Sequence, residues 1–182
     1  MKLSKIVLSL GCLYTLFSGT VYADPVTVNG GTVHFKGELV NAACAVSIAS
    51  SDQVVQLGQH RTASFSNVAD TSSLRPFRII LNDCDNSIAE TASVTFSGVA
   101  DLNNPDLLAV TSDGGATPAT GVGIEILDMM GTPLLPNVSW STPHNLLNGS
   151  NTLDFTARYK ATAATTTAGM ANADATFVMK YE

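Results

Sequence analysis

The sequence predicts an all-β domain, a sandwich of short antiparallel strands, and three observations carry that reading. Apolar residues recur with period two over several short runs. Between the runs lie compact clusters of Gly, Pro, Asn and Asp, the residues that make turns. No stretch sustains the apolar period of a helix. The wealth of Thr, Ala, Gly, Asn and Ser, with little Lys or Glu, is the composition of strands and turns, since β-branched residues suit the pleated surface and Gly and Asn supply turns with positive φ.

The chain opens on Lys2 and Lys5, an apolar run over residues 6–17, and then Val21-Tyr22-Ala23, with small residues where a signal peptidase reads. This is the pattern of a secretory signal peptide over residues 1–23, too short and too poorly flanked for a lasting transmembrane helix. Cys12 follows Ser9-Leu10-Gly11, but the leucine sits one position off for lipid attachment, and the better cleavage site follows at Ala23. Cutting there leaves 159 of the 182 residues, enough for one domain with a real core. Losing two of nine basic residues leaves seven against fifteen acids, a net charge of −8. An acidic surface repels phosphate backbones and anionic lipid, which argues against nucleic acid and membranes as partners.

Behind the cleavage site, residues 26–37 read VTVNGGTVHFKG, a β-rich stretch with two glycines in its middle. Further on, Phe77, Ile79 and Leu81 share one face of a strand, and residues 92–99 read as another whose pattern leaves its buried face open. Residues 122–127 alternate around Glu125, and residues 153–159 alternate throughout. Each is expected to place one face in the core and one in water. Turns are expected at Asn103-Asn104-Pro105-Asp106, Asp113-Gly114-Gly115, Gly131-Thr132-Pro133 and Asn148-Gly149-Ser150-Asn151. Strands at this spacing suggest a sandwich of the immunoglobulin type. The threonine and alanine run at 161–168 reads as a mobile surface loop. The closing stretch, ADATFVMKYE, puts Ala173, Ala175, Phe177, Met179 and Tyr181 on one face, with Asp174, Thr176, Val178 and Lys180 on the other. Terminal residues are normally frayed and polar, so a strand this amphipathic should be buried, and something must cover its edge.

No catalytic constellation appears. His34, His60 and His144 have no metal-type spacing, and no nucleophile elbow marks a hydrolase triad. Gly30-Gly31 lacks the Lys-Ser/Thr and the helix of a phosphate loop. Asp101, Asp106, Asp113 and Asp128 lack EF-hand spacing and read as solvated turn residues. Trp140 reads as a core or edge-packing residue rather than a sugar platform. Without the leader, two cysteines remain, Cys44 and Cys84, and in an exported protein such a pair usually forms one disulfide. A loop of that size adds about 4 kcal/mol in the chain-entropy model. Two thiolates without nearby histidines cannot close a zinc shell, so neither metal nor cofactor is expected.

The residues also carry a resemblance. TVNGGTVHFKGELVNAACAV (residues 27–46), VQLGQHRTASF (55–65), LNDCD (81–85), ARYKAT (157–162) and ANADATFVMKYE (171–182) resemble blocks of the major pilins of type 1 fimbriae, in the chaperone–usher family. Gly169, fourteenth from the C-terminus, and the penultimate Tyr181 resemble the marks that pilus chaperones recognise. The departures lie around residues 100–150. The resemblance implies an incomplete immunoglobulin-like sandwich over residues 37–182 that lacks its last strand, preceded by a donor-strand extension over residues 24–36. A periplasmic chaperone would lend a strand during export, and at the outer-membrane usher the arm of the next subunit would replace it, an example of strand addition.

On that arm Thr27, Asn29, Gly31, Val33 and Phe35 share one face and are expected to point into the neighbour's groove. Phe177, Met179 and Tyr181 are expected to wall the groove, with Leu39 and Val46 opposite, and Cys44–Cys84 to fix its shape. The implied function is that of a structural, non-enzymatic subunit of an extracellular fimbria, pairing with copies of itself and with other fimbrial subunits. A minor subunit of the same organelle and a sugar-binding adhesin are the alternatives.

Overall fold

A computed structural model describes residues 24–182; the expected leader, residues 1–23, lies outside the described residues. The chain divides into two units, one reaching to Glu38 and the other running Leu39–Glu182. The second unit holds every assigned element. In order these are β1 (Ala45–Val46), a helical turn α1 (Ile48–Ser51), a 3-10 turn (Thr62–Ser64), β2 (Arg75–Cys84), β3 (Thr91–Gly98), β4 (Leu108–Ala109), β5 (Val122–Asp128), β6 (Pro133–Leu134), β7 (His144–Asn145), β8 (Gly149–Ala161) and β9 (Ala175–Tyr181). The predicted all-β class is the observed one.

All pairings between strands are antiparallel, and they build two sheets. The larger has the order β1-β2-β8-β5-β4, with β6 also on β5; the smaller has the order β7-β3-β9. Period-two patterning explains what meets between them. On β2, Ile79 and Leu81 are fully buried; on β8, Leu153, Phe155 and Ala157 are buried; on β3, Ala92, Val94 and Phe96 turn inward. These residues belong to one core with Ile124 and Ile126 of β5. Phe77, Phe96 and Phe155 form an aromatic cluster across it, with ring centroids 5.3 to 5.9 Å apart. Edge-to-face and offset arrangements of this kind stabilise beyond simple burial.

The disulfide joins Cys44, just ahead of β1, to Cys84 at the end of β2. It clips the short first strand, which has only two register pairs of its own, to its neighbour.

Three local expectations are corrected. Glu125 is not in water: every residue of β5 is buried, and Glu125 is only 2% exposed. Its carboxylate accepts from Arg158 Nε at 2.6 Å and Lys160 Nζ at 2.7 Å, both on the adjacent β8. Burial pushes this carboxyl up, but the hydrogen bonds and charges of Lys160 and Arg158 outweigh it and hold the pKa below the usual glutamate value.

Asp128 is likewise buried rather than solvated. Its Oδ1 accepts the N–H groups of Met130 and Thr132, and its Oδ2 accepts from the N–H and hydroxyl of Thr142. It thus pins the β5–β6 turn to the segment before β7. Burial again opposes its ionised form, and the Thr142, Thr132 and Met130 donors again prevail, lowering its pKa.

Residues 161–168 do not hang free. Bridges Thr120↔Thr167 and Pro118↔Met170 hold this stretch against the segment before β5, and Thr166 Oγ1 donates to the Thr62 carbonyl. The stretch is at the surface as expected, with residues 164, 165, 167 and 168 exposed, but these bonds tie its backbone down.

Candidate functional site: an open groove beside β9

The feature that stands out is a groove of about 1530 Å³ in the second unit. Its floor is apolar and comes from both sheets: Phe77, Phe96, Ile124, Ile126, Ala157 and Tyr159. One wall is the segment at residues 50–63, and the other is residues 166–175 with Phe177. The construction follows from strand pairing. β9 is hydrogen-bonded to β3 along its whole length, from Ala92↔Tyr181 to Gly98↔Ala175, and on its other side it has no neighbouring strand among the described residues. Across the groove, residues 53–61 form no ladder with either sheet. Two lines of backbone with hydrogen-bonding capacity to spare therefore flank an apolar floor, and an additional strand could satisfy both.

The side chains around the groove are half-finished in the same sense. Phe177, Met179 and Tyr181 are only half-buried although they pack on the core. The Phe177 ring lies 6.5 Å from Phe96, continuing the aromatic cluster to the groove. Tyr159 donates its hydroxyl proton to the Ala171 carbonyl at 2.8 Å, tying β8 to the far wall, and burial raises its pKa. His60 stands edge-on to Tyr159, centroids 5.7 Å apart, and its Nε2 lies 3.1 Å from the Leu57 carbonyl.

Gly169 sits where this wall presses on residues 117–119. A Cβ there would come within 2.5 Å of Ala119 N and Pro118 C, closer than real carbon contacts allow. Only glycine fits that approach. Tyr181 reaches the opposite end of the domain, where its hydroxyl donates to the Cys44 carbonyl at 3.4 Å. Burial raises the Tyr181 pKa as well. The first and last strands are thus joined across the two sheets at the disulfide.

The expected wall residues are distributed differently from the sequence reading. Phe177 and Gly169 line the groove. Met179 and Tyr181 share the inward face of β9 but lie beyond the lining, toward Cys44. Leu39 is fully exposed and lines nothing, and Val46 pairs with Leu81 in the β1–β2 ladder and packs on the core. The wall opposite β9 is instead built further along the chain than either, where Val55 and Leu57 turn inward. Their alternation was visible in the block VQLGQH, and that was the available signal.

The arm, taken by itself, has no assigned secondary structure over residues 24–38. Val26, Val28, Val33 and Phe35 are exposed, Phe35 by 92%. Gly31 has φ +125°, a conformation that residues with a Cβ rarely adopt, and its N–H donates to Asn29 Oδ1 at 3.1 Å. An apolar, strand-patterned segment therefore carries no ladder.

The all-β sandwich is shared with pilus subunits, as the comparisons with known proteins show. Residues 33–182 match the family model described as "Fimbrial protein". The chain is 58% identical to a type 1 fimbrial subunit of Salmonella typhimurium, with 96% of each chain covered, and 49% identical to the type-1 fimbrial protein, A chain, of Escherichia coli K12 over the full length of both. Among solved structures it resembles a chaperone–usher pilus subunit (26% identity, TM-score 0.71, 88% of this chain and all of that one). It also resembles the P pilus rod subunit PapA (25% identity, TM-score 0.64, 78% of this chain and all of that one). The chain belongs to the fimbrial protein family. It is a non-enzymatic structural subunit of surface fimbriae.

Proposed function

We propose that the chain polymerises by donor-strand exchange, the arm of one copy completing the sandwich of the next and so building the rod of an adhesive type 1 fimbria. The observation that carries this reading is the groove between β9 and residues 53–61, apolar at its floor and bordered by unladdered backbone. Strand addition to such an edge gains main-chain hydrogen bonds and fills alternate-residue pockets. The arm has the matching chemistry: Val33 and Phe35 are two apart, hence on one face, and both are exposed. Burying two such anchors contributes roughly 3 to 6 kcal/mol gross. A strand's worth of hydrogen bonds adds about 1 kcal/mol net for each. Thr27, Asn29 and Gly31 continue that face, and Gly31 stands where the groove admits no side chain.

Before assembly, the groove needs a temporary cover, because an exposed apolar edge aggregates. A periplasmic chaperone supplies it, reading Gly169 and the β9 face with Phe177, Met179 and Tyr181, and an outer-membrane usher exchanges it for the next arm. Deleting residues 24–36 tests the reading: the chaperone should still capture the truncated subunit, and no fibre should contain it. Normal fimbriae from that deletion would overturn it.

A further inference from the structure

We propose that Asn29-Gly30 is a spontaneous deamidation site in the unassembled chain and that assembly closes it. Asn-Gly occurs twice in the sequence, at 29–30 and 148–149, and the two copies differ in what holds them. In the first, the N–H of Gly31 donates to Asn29 Oδ1 at 3.1 Å, so the side-chain amide folds back over its own downstream backbone. The adjacent Gly30 has open space on the side where a Cβ would stand, so nothing screens its backbone nitrogen. Both residues are exposed, in a segment without assigned secondary structure.

In the second copy, Asn148 Oδ1 accepts the N–H of Asn86 at 2.9 Å, which directs the amide toward a residue far away in sequence. Gly149 heads β8 in register with Cys84. It has the same open space where a Cβ would stand as Gly30 has, but its backbone is held in the β2–β8 ladder, whereas that of Gly30 is in no ladder.

The chemistry needs only water. The Gly30 backbone nitrogen loses its proton and bonds to Asn29 Cγ, and ammonia leaves to give a five-membered imide. Water then adds to one of the two imide carbonyls, and ring opening yields aspartate or isoaspartate at position 29. Either product places a carboxylate on the arm face assigned to the groove, and isoaspartate also lengthens the backbone by one carbon and breaks the strand's alternation. In a docked arm, an extended backbone hydrogen-bonded on both sides cannot fold Asn29 back. This protective effect rests on the donor-strand reading; the reaction at Asn29 in the free chain does not.

The test is peptide mapping of the full mature chain, unpolymerised in complex with its chaperone and in fibres, held in mildly alkaline buffer at growth temperature. In the unpolymerised chain, Asn29 should lose its amide several-fold faster than Asn148, and Gly30→Ala should slow that loss without changing Asn148. Equal rates at the two asparagines, or faster loss at Asn148, overturn the inference and leave donor-strand exchange standing. Fibres should slow the loss at Asn29 several-fold. If Asn29 decays rapidly in the free chain and equally rapidly in fibres, closure by assembly fails, and the placement of this arm in a groove fails with it. Because that carboxylate would face the apolar groove, Asn29→Asp should reduce fibre yield several-fold, and an unchanged yield overturns the assignment of position 29 to the groove face.

Discussion

The arm at residues 24–38 and the strand β9 at Ala175–Tyr181 carry the same sequence signal, apolar residues at alternate positions, yet they have different structures. β9 has a ladder along one side, to β3, and its inward residues Phe177, Met179 and Tyr181 are half-buried. The arm has no ladder, and Val33 and Phe35 are exposed. Alternation therefore specifies which residues share a face, and pairing decides whether that face is used. One segment is a strand with half its bonds made, the other a strand pattern with none.

That contrast can be broken from either side. The largest effect is expected from the arm, where Gly31→Leu should abolish fibre formation while the subunit's circular dichroism and melting stay unchanged. A bulky residue at φ +125° is strained in the free arm, and under the proposed donor-strand reading it would also be set against the groove floor. Fibres of normal yield from this variant would show that position 31 does not face the groove.

On the groove side, Gly169→Leu should destabilise the subunit itself by about 2 to 3 kcal/mol, since overpacking forces the backbone of residues 117–119 away. Its denaturant midpoint should fall, and an unchanged midpoint would mean that the wall yields freely. Phe177→Ala removes a half-buried ring that meets both the aromatic cluster and the groove. It should cost about 2 kcal/mol in the isolated subunit, below the range for fully buried phenylalanines, and more in the fibre if a donor strand covers the ring as proposed. Equal losses in the two states would argue that the groove's occupant does not touch it.

The smallest effect comes from acid. Glu125 and Asp128 both have pKa values held below their ordinary ones. Their contribution to stability is complete above the ordinary carboxylate range and is lost as pH falls through the lowered folded values, so the acid limb begins below about pH 4. Glu125→Gln should flatten that limb and leave Arg158 and Lys160 without their shared partner at neutral pH. Because these cations are partly exposed, the neutral-pH cost should be about 1 kcal/mol. Stability measured against pH in the two proteins checks both statements.

Much of the fold was legible because strand periodicity is local. The face containing Phe77, Ile79 and Leu81, the alternation of residues 153–159 and the amphipathic end all follow from side chains two apart. The Cys44–Cys84 disulfide followed from arithmetic. What failed were statements about partners. Glu125 looked solvated because a lone carboxylate in an alternating run usually faces water, and nothing local announced the two cations of β8 that cover it. Asp128 looked like a turn residue, which it is, but donors from two different segments close over it.

The groove shows the same division. By itself the sequence determined that the arm and the last strand are β-patterned, which of their residues share a face, and, through the alternation of Phe177, Met179 and Tyr181, that the last strand turns one face inward. Only the tertiary structure decided which segment lies across from β9. Leu39 and Val46 were the expected choices, but β1 is used in pairing with β2, and the wall falls to residues 50–63. The physical reason is that a strand's face is set by its own residues, whereas its neighbours are set by contacts between residues far apart in sequence, and no local pattern encodes that distance.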